Sequence, residues 1–426
     1  MHPRAEEVLG KPGFASVMDI PGPVDHVISS VPAAAVLELI DHCARKGVRG
    51  MTVFTARFSE TGHADLADLE QRLLRRAREG NVRLLGPNCM GIYCPSTGLS
   101  FKHWPHESGP VGLYSQSGGI TMEAVYAASL RGVRFSKVVS YGNSLDINEA
   151  DLMEYFSEDP ETEVIGVYVE GAKEGERFFR AIRRAVARKP VVLWKGGASQ
   201  AGGRAAASHT ASLTGSREVW HALARQTGAV VVESVEELAD MLVAFRFCGR
   251  ATGYRVGVAG GGGGRAVLAA DACERAGLVL EPIPPAMAKV LEQRYPTFWD
   301  WIGNPADGSI LGASDLNDKD ILELMAKAPE YDLLIGNLSE PWSMDRPEEI
   351  DRWSEAADRA IDVARSTHKP VAFVMDDTLP EAAWERQAVG ESRRKLAEAG
   401  LAVFPTVTRA ARALQKLATY YRERGS

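Results

Sequence analysis

The sequence has 426 residues, of which 45% are hydrophobic and 25% are charged, and its formal net charge is -7. This length exceeds that of one ordinary hydrophobic core, and the composition is typical of a folded globular protein rather than a disordered or collagen-like one. The negative charge gives no electrostatic reason to expect DNA, RNA or an anionic membrane surface as a partner.

The N-terminus and the cysteines both favour a reducing compartment. Residues 1–10 contain no apolar signal core, and no stretch reaches the roughly 18 consecutive apolar residues that a membrane helix needs. The five cysteines lack the paired spacing of a metal site, and an odd number suits a disulfide framework poorly. We therefore expect a cytoplasmic protein.

Short apolar runs alternate with amphipathic segments along the chain, which is typical of parallel strands joined by helices. Gly/Pro-rich stretches at 107–119 and 248–264 each precede a fresh strand and predict domain joints. The sequence therefore predicts an α/β protein of three doubly wound parallel-sheet domains, at 1–108, 109–250 and 251–426. The predicted strands are HVISSV (26–31), MTVF (51–54), VRLLG (82–86), VIGVYV (164–169), PVVLWKG (190–196), AVVVE (229–233), YRVGVAG (254–260), YDLLIGN (331–337), PVAFVMD (370–376) and LAVFP (401–405).

The first predicted domain has too few strands for a complete dinucleotide-type sheet. It ends in a polar cluster, RLLGPNCMGIYCP (83–95), that follows a strand. Asn88 and Cys89 in this cluster are candidates to line a thiol or phosphate pocket. Because Cys89 has no local histidine to activate it, we interpret it as a pocket wall and not as a nucleophile.

A Gly-rich element, YSQSGGITMEAVYAA (114–128), lies where a strand becomes a helix. The N–H groups of a first helical turn, together with the positive end of the helix dipole, form an anion site. Taken alone, this element suits a structural turn and a phosphate cradle equally well. The candidate phosphate ligands are Ser115, Ser117, Gly118 and Gly119.

Glu170 stands at the C-terminal end of the apolar strand VIGVYV. Ligands of open α/β sheets bind at the carboxyl ends of strands, so an acid there can orient an imidazole and stabilise its charged form. The competing interpretation is an ordinary acid near the start of a helix.

Residues 196–216, GGASQAGGRAAASHTASLTGS, consist largely of Gly, Ala, Ser and Thr and predict a mobile surface loop. A single histidine, His209, stands in this loop among hydroxyl-bearing residues suited to a phosphate. An imidazole is nucleophilic at neutral pH because its ordinary pKa is about 6.5. Position alone, however, favours a plain loop histidine.

The stretch GVAGGGGGRAVLAAD (257–271) resembles a dinucleotide-binding turn, because glycines follow a strand and open a helix. Five consecutive glycines satisfy almost any such pattern, and no acid follows a clear second strand at the spacing of about 20 residues that a ribose-binding acid has. An NAD-dependent oxidoreductase is therefore disfavoured.

Four segments, in this order, resemble the acyl-CoA synthetases that form a nucleoside diphosphate: GPNCMGIY, SQSGGITMEA, SYGNSLDINEADLMEYFSEDPETEVIGVYVEG and GRAAASHTASLTGS. They are similar to the α subunit of archaeal-type ADP-forming acetyl-CoA synthetase and, more distantly, of succinyl-CoA synthetase. The similarity covers nearly the whole chain and continues through GNPADGS (303–309). It implies a partial Rossmann-like CoA-binding domain followed by two flavodoxin-like domains.

The resemblance also implies a function, the formation of acyl-CoA from a carboxylic acid and CoA by way of an acyl phosphate and a phosphohistidine. It makes His209 the residue that carries phosphate, with Glu170 steadying its imidazole. The remaining assignments that it implies are phosphate binding by Ser115, Ser117, Gly118 and Gly119, and CoA binding by Val31, Pro32, Asn88 and Cys89. No arginine or lysine constellation marks a dicarboxylate pocket, which favours a monocarboxylate over succinate.

The sequence departs from this family in two respects. No counterpart of the family's ATP-grasp domain follows, so the resemblance implies that ATP/ADP and Mg²⁺ are bound by an ATP-grasp β-type partner subunit. The family's first strand and Gly-rich CoA-binding turn would precede Met1, and Arg57 stands where the family usually has glycine. We expect a start upstream of Met1. The alternative to an upstream start is that CoA binding is impaired. The alternative function is that of a non-catalytic CoA- or acyl-CoA-binding protein.

Overall fold

The computed structural model describes residues 7–197, 199, 202, 217–308, 317–338, 350–376 and 382–425. The chain divides into two compact units, the first comprising Met1–Val125 and Arg134–Val235 and the second Tyr126–Val133 and Glu236–Ser426. Among the described residues, every helix is too short or too polar to serve as a membrane span.

Strands and helices alternate through most of the chain. The strands are β1 (Glu7–Val8), β2 (Lys11–Pro12), β3 (His26–Ser29), β4 (Gly50–Val53), β5 (Arg83–Leu85), β6 (Gly91–Tyr93), β7 (Val111–Ser115), β8 (Phe135–Ser140), β9 (Val164–Val169), β10 (Val191–Lys195), β11 (Val230–Val232), β12 (Val256–Ala259), β13 (Leu333–Asn337), β14 (Val371–Val374) and β15 (Val403–Phe404). The α-helices of the described residues are α1 (Ala33–Lys46), α2 (Ala64–Glu79), α3 (Gly118–Ser129), α4 (Glu149–Glu158), α5 (Gly175–Val186), α6 (Arg217–Thr227), α7 (Val235–Phe247), α8 (Gly263–Ala276), α9 (Pro285–Arg294), α10 (Asp318–Lys327), α11 (Asp351–Ser366), α12 (Ala383–Glu398) and α13 (Val407–Arg422).

The first sheet of the first unit consists of β3, β4 and β5, paired in parallel. Helix α1 buries Val36, Ile40 and Cys43 toward the core that this sheet shares. These residues are three or four apart, so they lie on one face of the helix. The helix ends at Gly47, whose φ of 80° gives the left-handed cap that glycine adopts without a steric penalty.

The second sheet of the first unit has the order β11-β10-β9-β7-β8-β6, in which only β6 pairs antiparallel. The five parallel strands follow the flavodoxin-like order, in which β8 is added on one side of β7 and β9, β10 and β11 are added on the other. Their apolar runs are buried on both faces, as expected for a parallel sheet covered by helices. The carboxyl ends of β7 and β9 therefore flank the topological switch point, where ligands of such sheets bind.

The second unit contains a four-stranded parallel sheet of order β12-β13-β14-β15. Within this unit Asp240, which is 4% exposed, accepts hydrogen bonds from two arginines. Arg131 Nη1 lies 2.6 Å from Asp240 Oδ1, and Arg409 Nε lies 2.7 Å from Asp240 Oδ2. A buried carboxylate needs such partners because its desolvation is costly.

The predicted α/β class with parallel sheets is confirmed, and the strand VIGVYV matches β9 residue for residue. Strand β6, which falls inside the predicted first segment, pairs instead with β8 of the second sheet. The division into three domains stays a prediction.

Candidate functional site

The turn between β7 and α3 is organised by its two serines. Ser115 Oγ donates to the Ser117 carbonyl at 2.8 Å, and Ser117 N–H donates to Ser115 Oγ at 3.2 Å. Ser117 Oγ in turn accepts from the N–H of Ile120 at 3.4 Å, in the manner of a helix cap. Both predicted serines therefore shape the turn at the switch point.

The N–H groups of Gly118 and Gly119 open α3. In the part of the chain that the structure describes, neither has a hydrogen-bond acceptor. A Cβ on Gly118 would lie 2.6 Å from Met90 Cγ, so a larger residue at this position would require the Met90 side chain to move. Two unpaired N–H groups at the positive end of a helix can bind an anion such as a phosphoryl group.

Glu170 follows β9 and is 6% exposed. Its backbone N–H donates to Gln116 Oε1 at 2.8 Å, and the N–H of Gly171 donates to the same oxygen at 3.3 Å. The hydroxyl of Tyr168 donates to Glu170 Oε1 at 3.2 Å, and burial raises the pKa of Tyr168. Gln116 thus links the predicted acid directly to the predicted phosphate turn.

Gln116 was not singled out from the sequence, although it stands between the two predicted serines. Its side chain is 3% exposed, and its backbone N–H donates to the Tyr168 carbonyl at 3.1 Å. A polar side chain inside a Gly/Ser turn is the signal that could have found it, because a buried amide must have partners.

The predicted CoA-binding residues lie on two loops that Thr55 connects. Thr55 Oγ1 donates to the Val31 carbonyl at 2.5 Å, and Asn88 N–H donates to the Thr55 carbonyl at 3.0 Å. Val31 is half-buried and Pro32, at the start of α1, is exposed. The structure therefore brings Val31 and Asn88 to the same end of the first sheet.

Asn88 also reaches the second sheet. Its Nδ2 donates to Asn143 Oδ1 at 3.2 Å, and Asn143 Nδ2 donates to Glu60 Oε2 at 2.7 Å. Lys173 Nζ donates to the carbonyls of Asn143 and Ser144, both at 2.8 Å. Burial lowers the pKa of Lys173. Sequence reasoning missed Asn143, which joins the two sheets of the first unit.

Cys89 is buried, and its Sγ donates weakly to the Val53 carbonyl at 3.5 Å. Burial raises the pKa of its thiol to about 12. A thiol in that state is not a nucleophile at neutral pH. This agrees with the interpretation of Cys89 as a wall.

Arg57 is exposed and has a φ of 76°, in the left-handed region that favours glycine. Its N–H and the N–H of Phe58 both donate to the carboxylate of Glu60. The turn therefore has the backbone shape that a glycine would adopt without strain.

Lys195, at the end of β10, is a third residue that the sequence analysis did not single out. It is 8% exposed and its ammonium donates to the Gly196 carbonyl. Burial lowers its pKa, and the charge of Glu170 opposes that change. A cationic group therefore lies near the predicted acid.

His209 lies outside the described residues, as do most residues of the predicted 196–216 loop.

Two family profiles match consecutive parts of the chain. A profile described as a CoA binding domain matches residues 1–95, and one described as a succinyl-CoA ligase like flavodoxin domain matches residues 108–245. The second match contains the turn 115–119 and Glu170.

Curated relatives extend the similarity beyond these two matches. The ADP-forming acetate–CoA ligase I of Archaeoglobus fulgidus is 34% identical over 426 residues, which make up 99% of this chain and 58% of that protein. The alpha subunit of the ADP-forming acetate–CoA ligase II of Pyrococcus furiosus is 35% identical over 333 residues, covering 78% of this chain and 72% of that subunit. The chain thus spans little more than half the length of the Archaeoglobus relative.

Solved structures show the same fold. Acetyl-coenzyme A synthetase 1 from Ca. Korarchaeum cryptofilum, solved in complex with phosphate and ADP, is 30% identical with a TM-score of 0.82. The alignment covers 100% of this chain and 89% of that one. A protein from Pyrococcus horikoshii, PH0766, is 26% identical with a TM-score of 0.80, and the alignment covers 100% of this chain and 90% of that one.

Proposed function

Because the chain belongs to the family of the ADP-forming acetate–CoA ligases, we propose that it joins a carboxylic acid to CoA and carries the intermediate phosphoryl group on His209. The observation that carries this proposal is made at the switch point of the second sheet. There a buried acid accompanies helix N–H groups that have no acceptor among the described residues. The N–H groups of Gly118 and Gly119 suit a phosphoryl group, and Glu170 suits an imidazole.

The proposed reaction has two chemical steps. In the first, the phosphorus–nitrogen bond of phosphorylated His209 breaks as a carboxylate oxygen of the acid attacks phosphorus, which gives an acyl phosphate and a free imidazole. In the second, the CoA thiol attacks the acyl carbon, the carbon–oxygen bond breaks, and inorganic phosphate leaves with the thiol proton. Dividing one difficult ligation into two transfers is ordinary covalent catalysis.

Each predicted residue has a role in these steps. Glu170 accepts a hydrogen bond from the His209 ring and stabilises its charge, while the hydroxyl of Tyr168 holds the carboxylate in place. The helix start at Gly118 and Gly119 binds the phosphoryl oxygens and offsets their charge. Val31, Pro32 and Asn88 contact CoA, and Cys89 only fills the wall behind Asn88.

The relatives support a choice of substrates and partners. CoA is the thiol substrate, and the nucleotide that charges His209 is ATP, because the relatives are ADP-forming and one was solved with ADP and phosphate. Two relatives are alpha subunits of such ligases, which supports a partner subunit. We assign ATP, ADP and Mg²⁺ to an ATP-grasp partner of β type.

The proposal is tested by running the ligation in reverse. The chain is incubated with ³²P-labelled phosphate and a panel of acetyl-, isobutyryl- and phenylacetyl-CoA, and the protein is assayed for label. We expect label that is acid-labile and base-stable, as a phosphoramidate on histidine is. It should be absent from His209→Asn and much reduced in Glu170→Gln.

The Glu170→Gln variant keeps the size of the side chain and the oxygen that accepts from Tyr168, so it isolates the charge. Equal labelling of wild type and His209→Asn would remove the phosphohistidine from the mechanism. Binding of CoA without any label in wild type would favour the non-catalytic CoA-binding alternative.

A further inference from the structure

A cavity of about 260 Å³ lies in the first unit at the carboxyl ends of β10 and β11, against helix α6. Most of its wall is apolar, with Leu193 from β10, Trp220 from α6 and Val232 from β11. Among the described residues of this wall, none is Glu170, a residue of the phosphoryl cradle or a predicted CoA-binding residue. The cavity is therefore a separate feature of the same sheet edge.

Lys195 brings one buried positive charge to this cavity. Among the described residues its ammonium makes a single hydrogen bond, to the Gly196 carbonyl, and lies 5.5 Å from the centre of the Trp220 ring. An ammonium has three donors, and a buried charge is costly unless it is paired. An anion in the cavity would supply the missing acceptors and reverse the lowering of the Lys195 pKa that burial causes.

The two other titratable groups of the wall are placed differently. Glu233 is exposed at the rim, where water screens its charge, and His221 is half-buried. Neither places a buried carboxylate against the ammonium. The buried carboxylate of Glu170 acts on Lys195 through its charge, but among the described residues it makes no hydrogen bond to the ammonium and does not fill its donors. The cavity therefore combines an anion-binding end with an apolar body.

We propose that this cavity binds a monocarboxylic acid with a branched or aromatic side chain, its carboxylate on Lys195 and its apolar part against Trp220 and Leu193. This inference rests on the proposed function, because such an acid would be the substrate that the ligase activates. The cavity is close to the smallest volumes of small-molecule pockets, and its walls match an apolar group. Acetate or inorganic phosphate would pair with the ammonium but leave the apolar wall in contact with water.

Fluorine NMR of the full chain tests the proposal directly. The probes are para-fluorophenylacetate and its uncharged analogue para-fluorophenethyl alcohol, each titrated with wild type, Lys195→Met and Lys189→Met. Lys189 is a matched control, because it is a partly buried lysine whose Nζ also donates to backbone carbonyls, those of Phe156 and Asp159. We expect the acid to bind wild type and Lys189→Met alike and to bind Lys195→Met about tenfold more weakly, because the carboxylate loses its charged hydrogen bond.

Two further arms exclude the simpler explanations. Val231→Phe, which fills the cavity from its wall, should abolish binding of the acid while leaving Lys195 in place. Equal binding of acid and alcohol, unchanged binding by Lys195→Met, or no binding to wild type would each overturn the proposal. Displacement of the acid by an equal concentration of inorganic phosphate would overturn it too, because the apolar wall would then contribute nothing.

The outcome is separable from that of the ligase proposal. Acid binding without any label on His209 would refute the ligase function and leave the selectivity of the cavity intact. Label on His209 from acyl-CoA, with no acid bound at Lys195, would leave the ligase function intact and refute the cavity as its acid site.

Discussion

The hydrogen bonds from Gln116 to the strand end at Glu170 give the most direct structural prediction. Replacing Gln116 with methionine keeps the volume of the side chain but removes the oxygen that accepts two backbone N–H groups, at 2.8 and 3.3 Å. Each buried N–H left without an acceptor costs about 1–3 kcal/mol, and the longer bond contributes less than the shorter one. We therefore expect a local destabilisation of about 3 kcal/mol.

Hydrogen exchange detected by mass spectrometry measures this effect where it occurs. A loss of about 3 kcal/mol predicts roughly 100-fold faster exchange of the amides of Glu170 and Gly171, since each 1.4 kcal/mol is about tenfold. Peptides of the second unit should be unaffected. Gln387→Met, at an exposed glutamine whose side chain hydrogen-bonds to Glu391, is the matched control and should leave the exchange of these amides unchanged. Exchange of these two amides within threefold of wild type in Gln116→Met would refute the role given to Gln116.

Three further predictions concern stability and reactivity. Arg57→Gly should raise the free energy of unfolding by about 1 kcal/mol relative to Arg57→Ala in urea titrations, because only glycine relieves the left-handed backbone; equal stabilities would contradict the strain. Asp240→Asn should lower the free energy of unfolding by about 3–5 kcal/mol, because it leaves two partly buried arginines without their carboxylate. The control Asp358→Asn, at an exposed ion pair with Lys395, should lower it by less than about 1 kcal/mol. Similar losses in the two variants would contradict the importance of burial. Burial raises the pKa of the Cys89 thiol to about 12, so at pH 8 only about one molecule in ten thousand should carry the thiolate. Cys89 should therefore resist alkylation by iodoacetamide until the protein is unfolded. Rapid alkylation of Cys89 in the native protein would contradict its burial.

The sequence was most informative where local pattern and burial agree. The run VIGVYV is apolar at every position except one glycine and one tyrosine, and it forms β9 over those same residues. Strand β8, FSKVVS, was not singled out because Ser136 and Lys137 interrupt its apolar run. Both side chains find hydrogen-bond partners more than twenty residues away in the sequence, Ser136 with Thr162 and Lys137 with Asp159.

In the candidate site, too, the residues marked by local sequence pattern could be predicted, and those defined by contacts between distant segments could not. Ser115, Ser117 and Glu170 could be proposed from strand ends and small residues, because parallel strands bring their carboxyl ends to one edge. Gln116 and Lys195 could not be identified as site residues from the sequence, because their roles depend on contacts between strands and helices. Gln116 hydrogen-bonds to the end of β9, and Lys195 faces a cavity that α6 helps to line. Such pairings depend on strand order, which a single sequence does not specify.

Identifying the phosphorylated residue is the decisive test of the proposed phosphohistidine. The chain is treated with ³²P-labelled phosphate and the acyl-CoA panel, digested, and the labelled peptide is identified by mass spectrometry under basic conditions that preserve phosphohistidine. We expect one acid-labile label, on His209, that is lost in His209→Asn and greatly reduced in Glu170→Gln. Label on a different residue, or equal label in wild type and His209→Asn, would contradict it.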